Sequence, residues 1–389
     1  MPGAAAAGPG RVLVTDGEFK HALGIARALK ARGHEVHLVA RSGRAPAAHS
    51  RAVRRTHYLS GPRDPDYPHA LFECATSLAP VTLVAVGDGA VNATHLLRPR
   101  WPDSVRVALP PAVSLGVAND KSKTGELARR LGVSTPGERA VDTLPEASAA
   151  FEAFGRNTVF KSRFEVGRKI LRYVKDPNAV AAAFEYVRAQ SGAGPLVQEY
   201  VPGEGWAYFA LYWQGQRVRH FVHRRVREWP PSGGTSACAE SVRSEPELER
   251  VGQRLLDALA WHGVAMVECK RAPDGRFVLM EINAKFWGSH DLALAAGVDF
   301  PGDLVALLEG KEIVQPQPPY REVRYSWPFG GDLWHGMARP ADLPAVVIDA
   351  LSPRVAHSFR WSDPVPALFE ILQWARSTPG ALREARELS

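Results

Sequence analysis

The chain has 389 residues, of which 45% are hydrophobic and 23% charged, and its formal net charge is +7. This length exceeds what one ordinary core supports, so we expect two or three domains. The charged fraction is typical of a soluble globular protein. The basic excess contains no block of like charges and no basic run interleaved with aromatics, so we predict no nucleic-acid partner.

The cysteines and the apolar runs indicate in which cellular compartment the protein is expected. Cys74, Cys238 and Cys269 are far apart and form no CxxC pair, which argues against a disulfide framework and a structural zinc site. No apolar run approaches the ~18 residues of a membrane span, and the Ala/Gly/Pro-rich start up to Arg11 lacks the apolar core of a signal peptide. We therefore predict a cytoplasmic protein without a membrane partner.

The chain begins with the pattern of a strand, a helix and a second strand. The apolar run 11–15 is followed by helical periodicity up to Leu29, and Gly33 is placed to end that helix. The run 35–40 supplies the second strand. This spacing indicates a βαβ unit of an open parallel sheet.

A further buried strand is predicted at 81–86, ending in Gly87-Asp88-Gly89. We assign residues 1–115 to an N-terminal domain built on the parallel sheet. The residues after Thr15 lack GxGxxG spacing, which argues against NAD binding. We expect this domain to dock substrate and to form one wall of a cleft.

The second segment, 116–202, again alternates between strands and helices, and Asn119-Asp120 is expected to cap its first helix. We treat it as a small subdomain with these elements: a helix at 121–131, a strand at 158–161, a helix at 178–190 and a strand at 196–201.

The third segment, 203–312, is assigned to a large subdomain, and 313–389 to a C-terminal extension. The large subdomain is expected to contain strands at 208–212, 217–223, 264–270 and 276–283 and a helix at 251–261. In the extension, prolines and tryptophans recur, so we predict little regular structure before a helix near 368–376. Its aromatics either fasten the extension to the core or help to shape an acceptor pocket.

The most informative segment is the predicted hairpin 264–283, turned by Asp274-Gly275. Side chains alternate along a strand, so Glu281 and Asn283 should share a face with Phe277 and Leu279, and Glu268 should lie on the partner strand nearby. Two carboxylates and an amide oxygen on an apolar surface require a cation. Such hard oxygen ligands suit Mg²⁺. The alternative is an edge hairpin with solvated acids.

Two lysines precede this hairpin. Lys121 begins a predicted helix, and Lys161 closes an apolar strand, which places an ammonium group at the sheet edge where it can meet phosphate oxygens. Either lysine alone is typical of a solvated surface charge. Together with the acidic hairpin that follows, the two lysines indicate a phosphate-binding site.

Lys121, Lys161, the QEYV stretch at 198–201, Glu268 and the MEIN stretch at 280–283 occur in the order found in the ATP-grasp superfamily. Over roughly residues 11–310 the chain resembles the branch with carbamoyl-phosphate synthetase-like domains and amino-acid ligases. The resemblance implies an α/β fold, with an α+β nucleotide domain. An open parallel-sheet N-terminal domain would precede two ATP-grasp subdomains that hold the nucleotide between them.

The resemblance also implies a role for each matching residue. Lys121 and Lys161 would hold ATP phosphates, Glu199 and Val201 would line the adenine and ribose pocket, and Glu268, Glu281 and Asn283 would bind one or two Mg²⁺, with Mn²⁺ as a substitute. Lys285 lies where relatives place an arginine that steadies the transferred phosphate. Arg225 and Gly233-Gly234 resemble the loop facing the acceptor.

One stretch departs from the family pattern. Relatives carry a glycine-rich flap after the second lysine, whereas this chain has SRFEVGRKI with Gly167 alone. The resemblance still places Gly167 and Arg168 at the phosphates. The flap would then depend on Arg168 or Lys169 for charge.

The implied reaction is phosphorylation of a carboxylate by ATP, followed by attack of an amine on the acyl phosphate. The expected ligands are ATP, Mg²⁺, and a small-molecule carboxylate and amine, and a homodimer is compatible with the resemblance. Two alternatives stay open: bicarbonate-dependent carboxylation or carbamoylation, and nucleotide binding without catalysis. The cysteines receive no catalytic role.

Overall fold

The computed structural model describes residues 10–155, 157–165 and 170–387. Its first part folds into β1 (Arg11–Val14), α1 (Lys20–Ala31), β2 (Glu35–Ala40), β3 (Val53–Tyr58), α2 (Tyr67–Ser77), β4 (Val81–Val84), α3 (Asp88–Leu96), β5 (Val105–Val107) and α4 (Ala112–Ala118). The strands form one sheet in the order β3-β2-β1-β4-β5, and every adjacent pair is parallel. The predicted open parallel sheet is thereby confirmed.

The strands of this sheet are apolar because both of its faces are covered. Val12 and Val14 lie in one buried cluster with α1, while Leu13 lies in a second cluster with α2, and all three side chains are fully buried. Continuous apolar runs are typical of parallel strands packed on both sides.

The next part contains α5 (Lys121–Arg130), β6 (Glu138–Ala140), α6 (Leu144–Phe154), β7 (Thr158–Ser162), β8 (Leu171–Val174), α7 (Val180–Ser191) and β9 (Pro195–Glu199). Its strands form an antiparallel sheet in the order β6-β9-β7-β8. Phe160 on β7 and Phe184 on α7 are fully buried where the helices cover one face. The other face carries Lys161, the residue before the end of β7.

The remaining elements are β10 (Glu204–Trp213), β11 (Gln216–Trp229), β12 (Thr235–Ser241), α8 (Pro246–Ala258), β13 (Gly263–Arg271), β14 (Phe277–Asn283), α9 (His290–Ala296), α10 (Phe300–Leu308), β15 (Arg324–Ser326), α11 (Asp332–Ala338), α12 (Leu343–Leu351), β16 (Val355–Ala356) and α13 (Val365–Glu387). They build a seven-stranded sheet in the order β14-β13-β10-β11-β12-β15-β16. Short 3-10 turns occur at Pro46–His49, Arg98–Arg100, Pro177–Ala179, Pro328–Gly330 and Pro340–Asp342.

The C-terminal extension is more regular than the sequence predicted. The helix expected near 368–376 is present as the longer α13, but strands β15 and β16 and helices α11 and α12 precede it. Several of the prolines that suggested irregular chain lie at the start of α12 or of the 3-10 turns at Pro328–Gly330 and Pro340–Asp342. Proline is well accommodated there because the first turn has no partner for its missing N–H.

The extension is fastened to the first sheet by buried contacts. Asp363 accepts hydrogen bonds from Arg27 Nε at 2.9 Å, Ser50 Oγ at 2.6 Å and the Arg51 backbone N–H at 3.0 Å. Trp327 is 2% exposed within the main core. The assigned boundaries at 115, 202 and 312 stay predictions, although β15 and β16 join the large sheet beyond the last of them. Among the described residues, no helix combines the length and apolarity needed to cross a membrane.

Candidate active site

The acidic hairpin forms the floor of the candidate site. Strands β13 and β14 are antiparallel, and Glu268 lies directly opposite Glu281, with Met266 opposite Asn283. Directly opposed residues project from the same face of a sheet, about 5 Å apart at their Cβ atoms. The predicted convergence of the two carboxylates and the amide is confirmed.

The predicted neighbours of Glu281 on its own strand are wrong. The register shifts by one residue between the Glu268–Glu281 pair and the next pair, Cys269–Leu279. This bulge leaves Met280 without a partner and reverses the alternation, since an extra residue exchanges the faces of all side chains beyond it. Leu279 consequently packs with Cys269 in the core behind the sheet, while Glu281 faces the cleft.

Each carboxylate of the hairpin has a basic partner. Glu268 Oε2 lies 2.6 Å from Arg225 Nη2, and Glu281 Oε2 lies 3.5 Å from Lys121 Nζ. Asn283 donates from Nδ2 to Glu281 Oε1 at 3.0 Å. Burial acts to raise the pKa of Glu281, but Lys121, this amide and two further lysines outweigh it and lower the pKa to about 2. Glu281 is therefore ionised at neutral pH.

Lys121 is positioned by the cap of α5. Asp120 caps that helix through the backbone N–H of Ser122 at 3.0 Å, and the same carboxylate binds the Arg163 guanidinium at 2.9 and 2.8 Å. The Lys121 N–H also donates to the Arg163 carbonyl at 3.0 Å. Burial acts to lower the pKa of Lys121, but Glu281 and Glu165 raise it. The helix start is thus joined to the end of β7, where the second lysine lies.

Lys161 contacts neutral groups. Its Nζ donates to Gln198 Oε1 at 2.9 Å, and Gln198 Nε2 in turn donates to Glu138 Oε2 at 3.1 Å. Burial, and then repulsion by Lys121, lower the pKa of Lys161 to about 8. The charged form of an ammonium group in this environment is stabilised by a nearby anion such as phosphate.

Lys285 reaches across to the first sheet. Its Nζ forms an ion pair with Asp88, the first residue of α3. Burial acts to lower the pKa of Lys285, but Asp88 and then Glu165 outweigh it and raise the pKa. Glu165 Oε2 also lies 3.6 Å from Lys121 Nζ.

Asp88, Glu165, Gln198 and Glu138 were given no role from the sequence. The Gly87-Asp88-Gly89 turn was the available signal for one of them, because polar residues after a buried parallel strand lie at the sheet edge where ligands bind. The other three lie in segments whose pairing only the tertiary structure fixes.

Arg225 connects Glu268 to the loop before β12. Besides Glu268, its guanidinium lies 3.6 Å from Glu228 Oε1 and donates from Nη1 to the Gly234 carbonyl at 2.9 Å. The Gly234 N–H donates to Glu228 Oε2 at 2.7 Å. The glycine loop and Arg225 therefore form one unit at the edge of the site.

The remaining predicted residues lie at the end of β9 or outside the described residues. Glu199 Oε2 accepts from the Gly137 N–H at 3.2 Å, and the Val201 carbonyl accepts from Lys270 Nζ at 2.9 Å. Their adenine and ribose roles stay predictions. Gly167 and Arg168 lie outside the residues that the structure describes, so their phosphate contacts also stay predictions.

The donor set fits a hard divalent cation. Within the described ranges, no three His, Cys, Asp or Glu side chains group as a metal site. Two opposed carboxylates with an amide oxygen are nevertheless the ligands that Mg²⁺ takes when substrate phosphates and water supply the rest. Glu268, Glu281 and Asn283 would hold the ion.

A cavity of about 920 Å³ opens beside Asp88, the ion-pair partner of Lys285. It lies at the carboxyl ends of β1, β2 and β4, where ligands of open parallel sheets bind. Its charged lining is mostly acidic: Asp16, Glu18, Asp64, Asp88 and Glu165, against Arg41 and Arg63. Such a lining favours a cationic or amine-bearing ligand.

Comparison with known proteins finds one family model and several solved structures of similar fold. A family model described as ATP-grasp in the biosynthetic pathway with Ter operon matches residues 194–328, which contain the acidic hairpin and Arg225. No curated protein sequence matches the chain.

Several solved structures share the fold. Biotin carboxylase from Campylobacter jejuni aligns with a TM-score of 0.67 at 14% identity, over 81% of this chain and 74% of that chain. The biotin carboxylase domain of Hydrogenobacter thermophilus 2-oxoglutarate carboxylase, solved with MgADP and bicarbonate, aligns with a TM-score of 0.66 at 14% identity, over 80% and 72%. N5-carboxyaminoimidazole ribonucleotide synthetase from Thermus thermophilus aligns with a TM-score of 0.62 at 19% identity, over 80% and 82%.

These identities show a shared architecture, and the matched family segment coincides with the hairpin on which the site is built. Residues 194–328 therefore match an ATP-grasp family model, and the chain shares its fold with biotin carboxylase and N5-carboxyaminoimidazole ribonucleotide synthetase.

Proposed function

We propose that this protein is an ATP-dependent ligase that activates a carboxylate as an acyl phosphate and joins it to an amine, releasing ADP and phosphate. One observation carries the proposal: Lys121 and Arg225 lie within 3.5 Å and 2.6 Å of two carboxylates that face each other across a hairpin. Cations and carboxylates interleaved in one cleft suit a polyphosphate and its metal ion.

The chain's own groups have separable tasks. Lys121 and Lys161 would hold the phosphates, and Lys161 gains most, because its ammonium group has neutral hydrogen-bond partners in the protein. A Mg²⁺ held by Glu268, Glu281 and Asn283 would supply charge neutralisation at the transferred phosphoryl group. Lys285, fixed by Asp88, would steady the phosphoryl oxygens as they leave ATP.

The acid-lined cavity is where we place the amine. It borders Asp88 and therefore opens directly beside the proposed position of the phosphoryl group. A carboxylate within hydrogen-bond reach of the amine would accept the proton that the amine loses when it attacks the acyl carbon. Exclusion of water from this cleft protects the acyl phosphate from hydrolysis.

Phosphate release from ATP tests the proposal. We expect release with matched pairs drawn from a panel of carboxylates and amines, and little release when either partner is omitted. Mass spectrometry should detect an amide in the same reactions. Turnover without amide product, or no turnover across the panel, would refute the amide-forming reaction.

Bicarbonate-dependent carboxylation is the second candidate, because a structural neighbour was solved with MgADP and bicarbonate. It requires ADP formation that depends on added bicarbonate in degassed buffer. A nucleotide-binding protein without catalysis would instead bind ATP and release no phosphate with either substrate set. A homodimer stays an expectation, and the mass in solution measured by light scattering checks it.

A further inference from the structure

Lys20, the first residue of α1, presents a largely buried ammonium group to neutral partners. Its Nζ donates to the Ser236 carbonyl at 2.9 Å and lies 4.4 Å from the centre of the Trp327 ring. Within the described part of the chain, no carboxylate oxygen lies within 4.0 Å of it. A buried cation without a counter-ion at ion-pair distance is costly, so an anion from outside the chain would stabilise it.

The acids that surround Lys20 at longer range are poor counter-ions. Burial raises the pKa of Asp291 to about 7 and also raises the pKa of Glu370. Asp332 is already bound by both arms of Arg227, at 2.6 and 2.8 Å. All three acids act to raise the pKa of Lys20, but burial outweighs them and lowers it to about 8, so they do not fully compensate the buried ammonium group.

The path of the Lys20 side chain is shaped by two glycines. A Cβ at Gly330 would lie 3.1 Å from Lys20 Cδ, and a Cβ at Gly288 would lie 3.6 Å from Lys20 Cε. Gly288 follows Lys285 by three residues, in the loop that leaves the acidic hairpin. The Lys20 side chain thus extends between the loop that follows the acidic hairpin and the turn that follows β15.

Lys20 and Arg225 bind carbonyl groups two residues apart on the same stretch of chain. Arg225 donates to the Gly234 carbonyl and Lys20 to the Ser236 carbonyl, both at 2.9 Å. Two residues of extended chain span about 7 Å. The two cations are near enough for Arg225 to contribute, after burial, to lowering the pKa of Lys20 to about 8.

We propose that Lys20 binds a substrate carboxylate that does not react, with the Trp327 ring beside it, while the reacting carboxyl group lies towards Arg225 and the metal ligands. The inference rests on the proposed function and adds to it a substrate class. Either the acceptor is an amino acid that keeps its free carboxylate, or the donor is a dicarboxylate.

Lys20→Met is the central variant, because methionine keeps the apolar stem between the two glycines and removes the charge. Lys30→Met, in the last turn of the same helix and exposed, is the matched control. Binding of the twenty amino acids and succinate is measured by calorimetry in the presence of MgADP. We expect Lys20→Met to weaken binding of the preferred carboxylate at least about 10-fold and to leave binding of its carboxamide unchanged, with no change in Lys30→Met.

The carboxylate bound by Lys20 belongs either to the acceptor or to the donor, and neutral analogues distinguish the two, because binding of the relevant analogue should not be weakened by Lys20→Met. Replacing an acceptor amino acid by its carboxamide removes the dependence on Lys20 in one case, and replacing glutamate by glutamine as the donor removes it in the other. An equal loss for carboxylates and carboxamides, or no loss, overturns the proposal.

Labelling of the unaltered protein gives a second readout that needs neither turnover nor a variant. A lysine with a pKa near 8 reacts readily with acetic anhydride at pH 8, and a bound carboxylate raises that pKa and slows the reaction. We expect protection of Lys20, but not Lys30, by the carboxylate that binds. Absence of protection by any member of the panel overturns the proposal, and absence of ATP turnover with protection intact overturns only the ligase reaction.

Discussion

Replacing Glu281 by glutamine removes one negative charge where three lysines converge. Glu281 Oε2 lies 3.5 Å from Lys121 Nζ, and Lys161 and Lys285 also act on it. The amide of glutamine keeps the size of the side chain but cannot neutralise these cations. The change therefore isolates the charge from the packing.

The structure sets the size of the expected effect on stability. At 3.5 Å and an effective dielectric constant of about 20, the Glu281–Lys121 attraction is about 5 kcal/mol. The two side chains are 27% and 13% exposed, so water screens part of this attraction. We expect the free energy of unfolding to fall by about 2–3 kcal/mol at pH 7.

The effect should depend on pH with a definite sign. The pKa of Glu281 is about 2 in the folded protein, below its value in the unfolded chain, so the carboxylate stabilises the fold above about pH 5. That contribution is lost as the pH falls towards 2. The difference between the unaltered protein and Glu281→Gln should therefore shrink at pH 3.

Urea denaturation followed by tryptophan fluorescence measures the stability, and ADP release measures turnover. We expect turnover to fall at least about 100-fold, since loss of a proposed metal ligand should exceed the effect of losing an outer partner. Glu152→Gln, an exposed acid on α6, is the control and should change neither quantity. A Glu281→Gln protein with full turnover and unchanged stability would refute the proposed role.

Four further predictions follow from the same geometry. A bound phosphate should raise the pKa of Lys161 from about 8, so nucleotide binding should be accompanied by proton uptake near pH 8 and should weaken between pH 7 and 9. Calorimetry in two buffers of different ionisation enthalpy measures the proton uptake. Binding without proton uptake would contradict the assigned role of Lys161. Asp88→Asn should lower the pKa of Lys285 and shift the alkaline limb of the pH–rate profile to lower pH, and an unshifted limb would count against that ion pair. Removal of Mg²⁺ by EDTA should abolish ADP release and Mn²⁺ should restore it; activity that persists in EDTA contradicts the assigned ligands. Asp363→Ala should lower the free energy of unfolding by about 2–4 kcal/mol, because the buried Arg27 guanidinium loses its carboxylate and keeps only backbone carbonyl partners; a loss below about 0.5 kcal/mol in urea would disprove that the contact fastens the extension.

Much of the architecture follows from local sequence. Apolar runs covered on both faces specify the strands of the first sheet, and Asp120 caps the helix that carries Lys121, as its position before that helix indicates. The hairpin turn at Asp274-Gly275 makes the two strands antiparallel neighbours, as its position indicates, and the bulge beyond Leu279 then brings Glu281 opposite Glu268.

Contacts between segments that are far apart in the sequence could be determined only from the tertiary structure. The bulge beside Glu281 depends on how two strands fit over a packed core, so simple alternation predicted the wrong neighbours. The regular structure after residue 312 was hidden because its strands add to a sheet formed earlier in the chain.

The site's cross-chain partners were hidden for the same reason. Asp88 and Lys285 are 197 residues apart, and Lys20 and Ser236 are 216 apart. Residue spacing within one segment reports which side chains share a helix or strand, whereas contacts between segments depend on how several sheets pack against each other. The sequence by itself determined the residue types of the proposed nucleotide and metal site, and the packing of the first sheet against the large one decided which charges meet there.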